Sequence, residues 1–257
     1  MENQSVLDPN FVPDEYKVPY DIIELPSQGL LYENKKSSVK VEFLTAYDEN
    51  ILTSPNIMSG GKLIDVLIEN KVKDLGFDSK KLLEGDRLAI LLFLRTSAFG
   101  EEYKQSVLDP ISKKVVEGTI NLSEIKFKKL EVKPDNDNCF DFILPKSNKT
   151  VKFRFLSGKD EEEINKMDED LRERTGSDVS TKTTLRLERS IMELDGVKDK
   201  IKISNILRNL TIPDIRALNK YITKIEPGVD FSVEARTPGG GSVKTFLNIN
   251  RNFFWPE

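Results

Sequence analysis

The chain has no histidine and a single cysteine, Cys139, in 257 residues. Those two shortages exclude much familiar chemistry. A structural zinc site draws its ligands from several Cys and His side chains, and Ser-His-Asp or Cys-His nucleophiles need an imidazole. An intramolecular disulfide needs a second thiol. Cys139, beside Phe140, is therefore read as a small apolar side chain at the start of a strand. Long apolar runs are missing too. The longest, 88–94, stops at Arg95, well short of the ~20 residues that span a bilayer. Residues 1–19, MENQSVLDPNFVPDEYKVP, are acidic and punctuated by proline, so they read as an extended arm and not as a signal peptide. Nor is there an excess of one charge: 39 Lys and Arg against 43 Asp and Glu leave a net charge of -4, with no basic field to gather nucleic acid. The expectation is a soluble chain with no membrane contact and no cofactor.

What the sequence does contain is an echo of itself. Ile23-Glu24-Leu25-Pro26-Ser27 followed by Val39-Lys40-Val41-Glu42-Phe43-Leu44-Thr45-Ala46-Tyr47-Asp48 is answered by Phe142-Ile143-Leu144-Pro145-Lys146 followed by Val151-Lys152-Phe153-Arg154-Phe155-Leu156-Ser157-Gly158-Lys159-Asp160. Phe43 and Phe155 lie 112 positions apart, as do Asp48 and Asp160; Asp86 and Asp214, Gly100 and Gly228, and Pro110 and Pro238 lie 128 apart. One insertion of 16 residues in the second copy reconciles the offsets. Hairpins reuse Leu-Pro turns and Phe-rich strands, which is the competing explanation. A frame held over tens of residues favours duplication.

The fold class that follows is α+β: two related units from an internal duplication, each with small antiparallel sheets or hairpins plus a helical bundle. The division is an arm at 1–20, a first unit at 21–132, a polar linker at 133–140, and a second unit at 141–257 with extra helices inserted near 175–205. Capping residues and apolar spacing predict helices over 45–51, 62–71 and 84–97, with a helical turn at 79–83. The helix at 84–97 is apolar nearly all round and forms the centre of the first unit. In the second unit they predict helices over 159–174, 180–194, 202–210 and 213–225. Two hairpins have turn chemistry at Asp109-Pro110 and at Thr237-Pro238-Gly239-Gly240-Gly241, and a terminal strand is expected to end in Phe253-Phe254-Trp255-Pro256.

Few residues invite a reaction. Asp160-Glu161-Glu162-Glu163 reads as a solvated helix start favoured by the helix dipole. The glycine run 239–241 lacks the Lys-Ser/Thr and the following helix of a phosphate loop, and Met58-Ser59-Gly60-Gly61-Lys62 reads as a helix-initiating loop. Lys126, Lys128 and Lys129 around Phe127, like Lys198, Lys200 and Lys202, are the wet side of their elements or a track for a nucleic-acid backbone. Phe253, Phe254 and Trp255 cannot share one face of a strand, so they pack in the core or anchor a partner.

Six short motifs carry a resemblance: Leu-Pro-Ser-x-Gly-x-x-Tyr at 25–32, Leu-Thr-Ala-x-Asp-Glu at 44–49, Leu-x-Gly-Asp-Arg at 83–87, Leu-Arg-x-x-x-x-Gly-x-x-Tyr at 94–103, Pro-Gly-Val-Asp at 227–230 and Phe-Phe-Trp-Pro at 253–256. In these the chain resembles the baseplate proteins of T-even-type contractile-tailed bacteriophages, in particular their hub subunits and hub-assembly proteins. Members of that family can carry paired cysteines at hairpin tips corresponding to 107–110 and 236–239, where this chain has none. The resemblance implies a non-enzymatic protein of the virion tail baseplate, or of an assembly intermediate in the host cytoplasm, whose partners are other hub and tail proteins. Its expected docking residues are Pro110, Pro238, Gly239, Gly240, Phe253, Phe254 and Trp255. The rival is a nucleic-acid-binding module using the basic hairpin faces.

Overall fold

The computed structural model describes residues 17–53, 63–176, 178–249 and 251–254. Most of the expected arm, the loop at 58–62 and Trp255 lie outside these residues. The chain opens with an antiparallel pair, β1 (Tyr20–Glu24) and β2 (Ser38–Glu42). Helices α1 (Ala46–Thr53) and α2 (Leu63–Lys71) follow, then a 3-10 turn at Ser79–Lys81 and the long α3 (Glu84–Phe99). Ala89, Ile90, Leu91, Leu92 and Leu94 bury α3 on several sides, as its apolar sequence requires. The helix stops at Gly100, whose φ of 79° suits glycine and lets the chain turn into a hairpin of β3 (Glu102–Leu108) and β4 (Val115–Asn121). A short β5 (Phe127–Lys128) closes this part.

The second part also opens on an antiparallel pair, β6 (Phe140–Ile143) and β7 (Thr150–Phe153). There follow α4 (Gly158–Thr175), α5 (Lys182–Ser190), β8 (Ile191–Leu194), α6 (Lys200–Arg208) and α7 (Ile212–Ile225). The chain then runs through β9 (Gly228–Val229) and the hairpin β10 (Ser232–Arg236) and β11 (Ser242–Phe246) to a helical turn, α8 (Arg251–Phe254). This is the α+β architecture the sequence predicts.

Two expectations need correcting. The helix expected over 180–194 ends at Ser190, and Ile191–Leu194 is a strand on the free edge of β7. Ile191 pairs with Phe153 and Leu194 with Val151, leaving Met192 as an extra residue at a bulge. The bulge turns both Ile191 and Leu194 inward, so a strand acquires the three-residue apolar spacing of a helix. The expected terminal strand is the turn α8. Phe253 and Phe254 are both buried, which adjacent positions on one strand face cannot achieve.

The two parts interlock. One sheet runs β11-β10-β4-β3 and another pairs β5 with β9, so each joins strands from both sides of the 133–140 segment. One apolar cluster likewise draws on Leu25, Ile90 and Ile120 as well as Phe153, Leu194 and Leu218. At Gly85 the backbone of Pro227 and Gly228 comes so close that a Cβ would lie 1.9 Å from the Pro227 carbonyl oxygen.

The same hydrogen-bond arrangements recur at the echoed positions. Asp48 accepts from Thr45 N and Oγ1, each at 2.7 Å, and Asp160 accepts from Ser157 N and Oγ at 2.9 and 2.8 Å. Asp86 Oδ1 accepts from Ser27 N at 2.9 Å, and Asp214 Oδ1 accepts from Lys146 N at 2.7 Å. In both cases a buried carboxylate in the first turn of a helix holds the turn that follows a Leu-Pro pair.

Candidate functional site

The four-stranded sheet brings the two hairpin tips together. β3 and β10 both run antiparallel to β4, so they run parallel to each other on either side of it, and the residues that follow them meet. Asp109, the residue after β3, is the centre of the junction. Its carboxylate accepts from Ser112 N at 2.9 Å and from the Oγ1 of Thr237, the residue after β10, at 3.0 Å. Thr237 N donates to Gly241 O at 2.8 Å, closing the second tip, where Gly240 takes a φ of 79°. Hydrogen bonds from Ser112, and then from Thr237, bring the Asp109 carboxyl down to about 2. Asp109 is ionised near neutrality and clamps the tips together.

Around this clamp the surface is exposed. Pro110, Pro238, Gly239 and Gly240 face solvent. So do three apolar side chains that the sequence reading did not single out: Leu108 at 59% exposure, Ile111 at 66% and Val115 at 72%. Leu108 and Val115 are cross-strand partners on the same face of the hairpin. Their signal was present, since Leu108 continues the outward set Lys104 and Ser106. The opposite face is internal. Buried Gln105 donates to Phe246 O at 2.9 Å and accepts from Asn248 N at 3.0 Å, curling the sheet so that the chain after β11 meets β3.

Phe253 and Phe254 are not part of this surface. Phe253 packs edge-on against Tyr103 at 5.3 Å and lies 5.8 Å from the guanidinium of Arg95. Arg95 is itself fully buried, donating to Gly100 O at 3.0 Å and to Glu102 O at 3.3 Å. It also lies over the rings of Phe99 and Tyr103. The Leu-Arg-x-x-x-x-Gly-x-x-Tyr motif therefore meets Phe253 in an internal cluster. The docking role expected of Phe253 and Phe254 is incompatible with their burial.

Other motif residues are internal as well. Asp86 accepts from Ser27 N, Ser27 Oγ and Tyr32 Oη, and Tyr32 Oη accepts from Leu83 N at 2.9 Å. Burial raises the Asp86 carboxyl against the pull of these bonds. Burial, with the Asp86 charge second, pushes the Tyr32 phenol far up. Asp160, expected to be solvated, is buried under Arg154, whose two terminal nitrogens meet the carboxylate at 2.8 and 2.7 Å, and under Arg189 at 2.8 Å. Burial alone would raise its carboxyl; the bonds from Arg154, Ser157 and Arg189 hold it far below the usual range.

Several of the lysines proposed as a basic face have protein partners. Lys128 donates to Thr223 O, Lys129 pairs with Glu24 at 3.5 Å, Lys198 with Glu193 at 3.6 Å, and Lys200 donates to Ile191 O. Cys139 is buried and its thiol is raised by burial, as a packing residue would be. Among the described residues no group of three or more Cys, Asp or Glu side chains is placed to hold a metal ion. No helix among them is long and apolar enough to cross a membrane.

The α+β body is joined through shared sheets, and Asp48, Asp86 and Arg95 of its motifs are held internally. A family model described as T4 bacteriophage base plate protein matches residues 19–255. The chain belongs to that family and is a structural protein of the phage baseplate. No curated protein and no solved structure matches it.

Proposed function

We propose that this baseplate protein binds other hub and tail components during assembly of the baseplate hub, without catalysis, through its paired hairpin tips. The observation that carries the reading is the hydrogen bond from Thr237 to Asp109, which fixes two exposed tips side by side. A surface ordered before contact loses less freedom on docking. Leu108, Ile111 and Val115 supply apolar area, while Pro110, Pro238, Gly239 and Gly240 shape the rim and leave main-chain groups within reach of a partner. The protein would act in the virion tail baseplate or in an assembly intermediate in the host cytoplasm. The recurring carboxylate clamps support reading 21–132 and 141–257 as two related units, each contributing one hairpin.

Affinity capture from infected cells tests this with the wild-type chain and with Ile111→Asp combined with Val115→Asp. Both side chains are exposed, so the variant is expected to keep the wild-type melting temperature. Tail components should co-purify with the wild type and fall by about tenfold or more with the variant, as for loss of interface anchors. Equal recovery, or recovery of no tail component with either chain, contradicts the reading.

A further inference from the structure

A second surface lies away from the tips. A groove of about 390 Å³ runs between β1 and the 122–129 segment, floored by Ala89, Leu92, Phe93 and Thr96 of α3. Ile22 and Phe127, on its two walls, are 59% and 49% exposed. Among the described residues β1 pairs with β2 alone, so its other edge is open. The bonds from Phe43 N to Pro19 O and from Leu25 N to Ser37 O set the register. In that register the main-chain groups of Tyr20, Ile22 and Glu24 point away from β2. Among the described residues Ile22 N–H is met by the neighbouring Asp21 carboxylate at 2.8 Å, a local stopper of the kind that guards a strand edge.

We propose that this groove takes one extended segment of another baseplate or tail protein, added as a strand to β1. Alternate apolar side chains of that segment would face the α3 floor, with a lysine or arginine at one end. An open strand edge beside an apolar trough is the arrangement that β-strand addition uses. A helix has no free main-chain groups to offer Tyr20, Ile22 and Glu24. The charge follows from the lining: Lys129 is already paired with Glu24 at 3.5 Å, whereas Glu101 has no cationic partner among the described residues. The proposal rests on membership of the baseplate family and is independent of the hairpin tips.

The test is site-specific crosslinking of the full chain in infected cells, with benzoylphenylalanine in place of Ser123, which is exposed on the groove wall. Sequencing of the crosslinked peptide should return a segment of a different tail protein with apolar residues at alternate positions and Lys or Arg at one end. Thr96→Phe, which fills the groove, and Glu101→Lys should each lower the yield by about tenfold, the effect of one interface anchor. Lys244→Glu, on the exposed face of β11, should leave it unchanged. Glu101→Lys keeps the test valid if Thr96→Phe disturbs α3. Crosslinks to a second copy of this chain, to an acidic or helical segment, or to no protein would overturn the proposal. So would an undiminished yield with Glu101→Lys. Retained capture of tail components through the tips would show that only the groove reading had failed.

Discussion

Asp86 is a buried carboxylate held by hydroxyls and an amide rather than by a cation. Removing it strands three donors that ordinarily bond it. Each unsatisfied buried group costs about 1–3 kcal/mol, so Asp86→Ala is expected to lower unfolding free energy by at least about 2 kcal/mol. Asp86→Asn should cost roughly half as much or less, because an amide oxygen still accepts from Ser27 and the charge that burial penalises is gone. Urea denaturation of both variants measures this, and equal losses would contradict it. Ser27, Tyr32 and Asp86 all stand in motifs visible in the sequence, but their bonding was not legible there, since Asp86 lies 59 residues from Ser27. Arg95 shows the same limit. It reads as the end of an apolar run and one position of a motif, and only the fold reveals that Phe99, Tyr103 and Phe253 surround it.

Whole elements were more legible because their signals are local. Thr45, Ser157 and Thr211 bond the helix starts that the sequence assigns to their segments, and Asp199 caps α6, which begins two residues before its expected start. The strand at 191–194 was hidden because a bulge reproduces helical spacing, and what decides it is an edge of β7 some 40 residues away. The contact of α3 with β9 was hidden in the same way. A Cβ on Gly85 would strike the Pro227 backbone, which cannot swing aside as a side chain can. Gly85→Ala is therefore expected to destabilise by about 1–3 kcal/mol, with a matching fall in melting temperature; a neutral result would contradict the close approach. The link between hairpins carries a pH signature. Asp109 sits at about 2 against an ordinary 3.8, so between those values the folded tip binds fewer protons than the unfolded chain. Its stabilisation is full above 3.8 and is lost as pH falls through about 2. Thr237→Val removes one of its donors, so the low-pH loss should be smaller and complete at a higher pH, and exchange of the Ser112 and Gly240 amides should quicken. Unchanged exchange would count against the clamp.

The echo in the sequence and the joined structure answer different questions. The repeated frame suggests two units, yet β4 pairs with β10, β5 with β9, and one apolar cluster spans both. Residues 21–132 expressed alone would expose the Gly85 seat of Pro227, the free edge of β4 and half of that cluster. That fragment is expected to give a poorly dispersed amide spectrum and to recover order on mixing with 133–257. The intact chain should unfold in one cooperative transition. A well-dispersed spectrum from either part alone would contradict the shared core. The proposal that both hairpin tips form one docking surface for other baseplate components concerns what this joined body presents outward. Hydrogen–deuterium exchange of the full chain, free and bound to isolated hub components, is the decisive experiment. Amides in 108–115 and 236–242 are expected to slow by about tenfold or more on binding, as for backbone newly shielded at an interface. Binding that leaves both tips exchanging at their free rates, with protection confined to other parts of the chain, would contradict it.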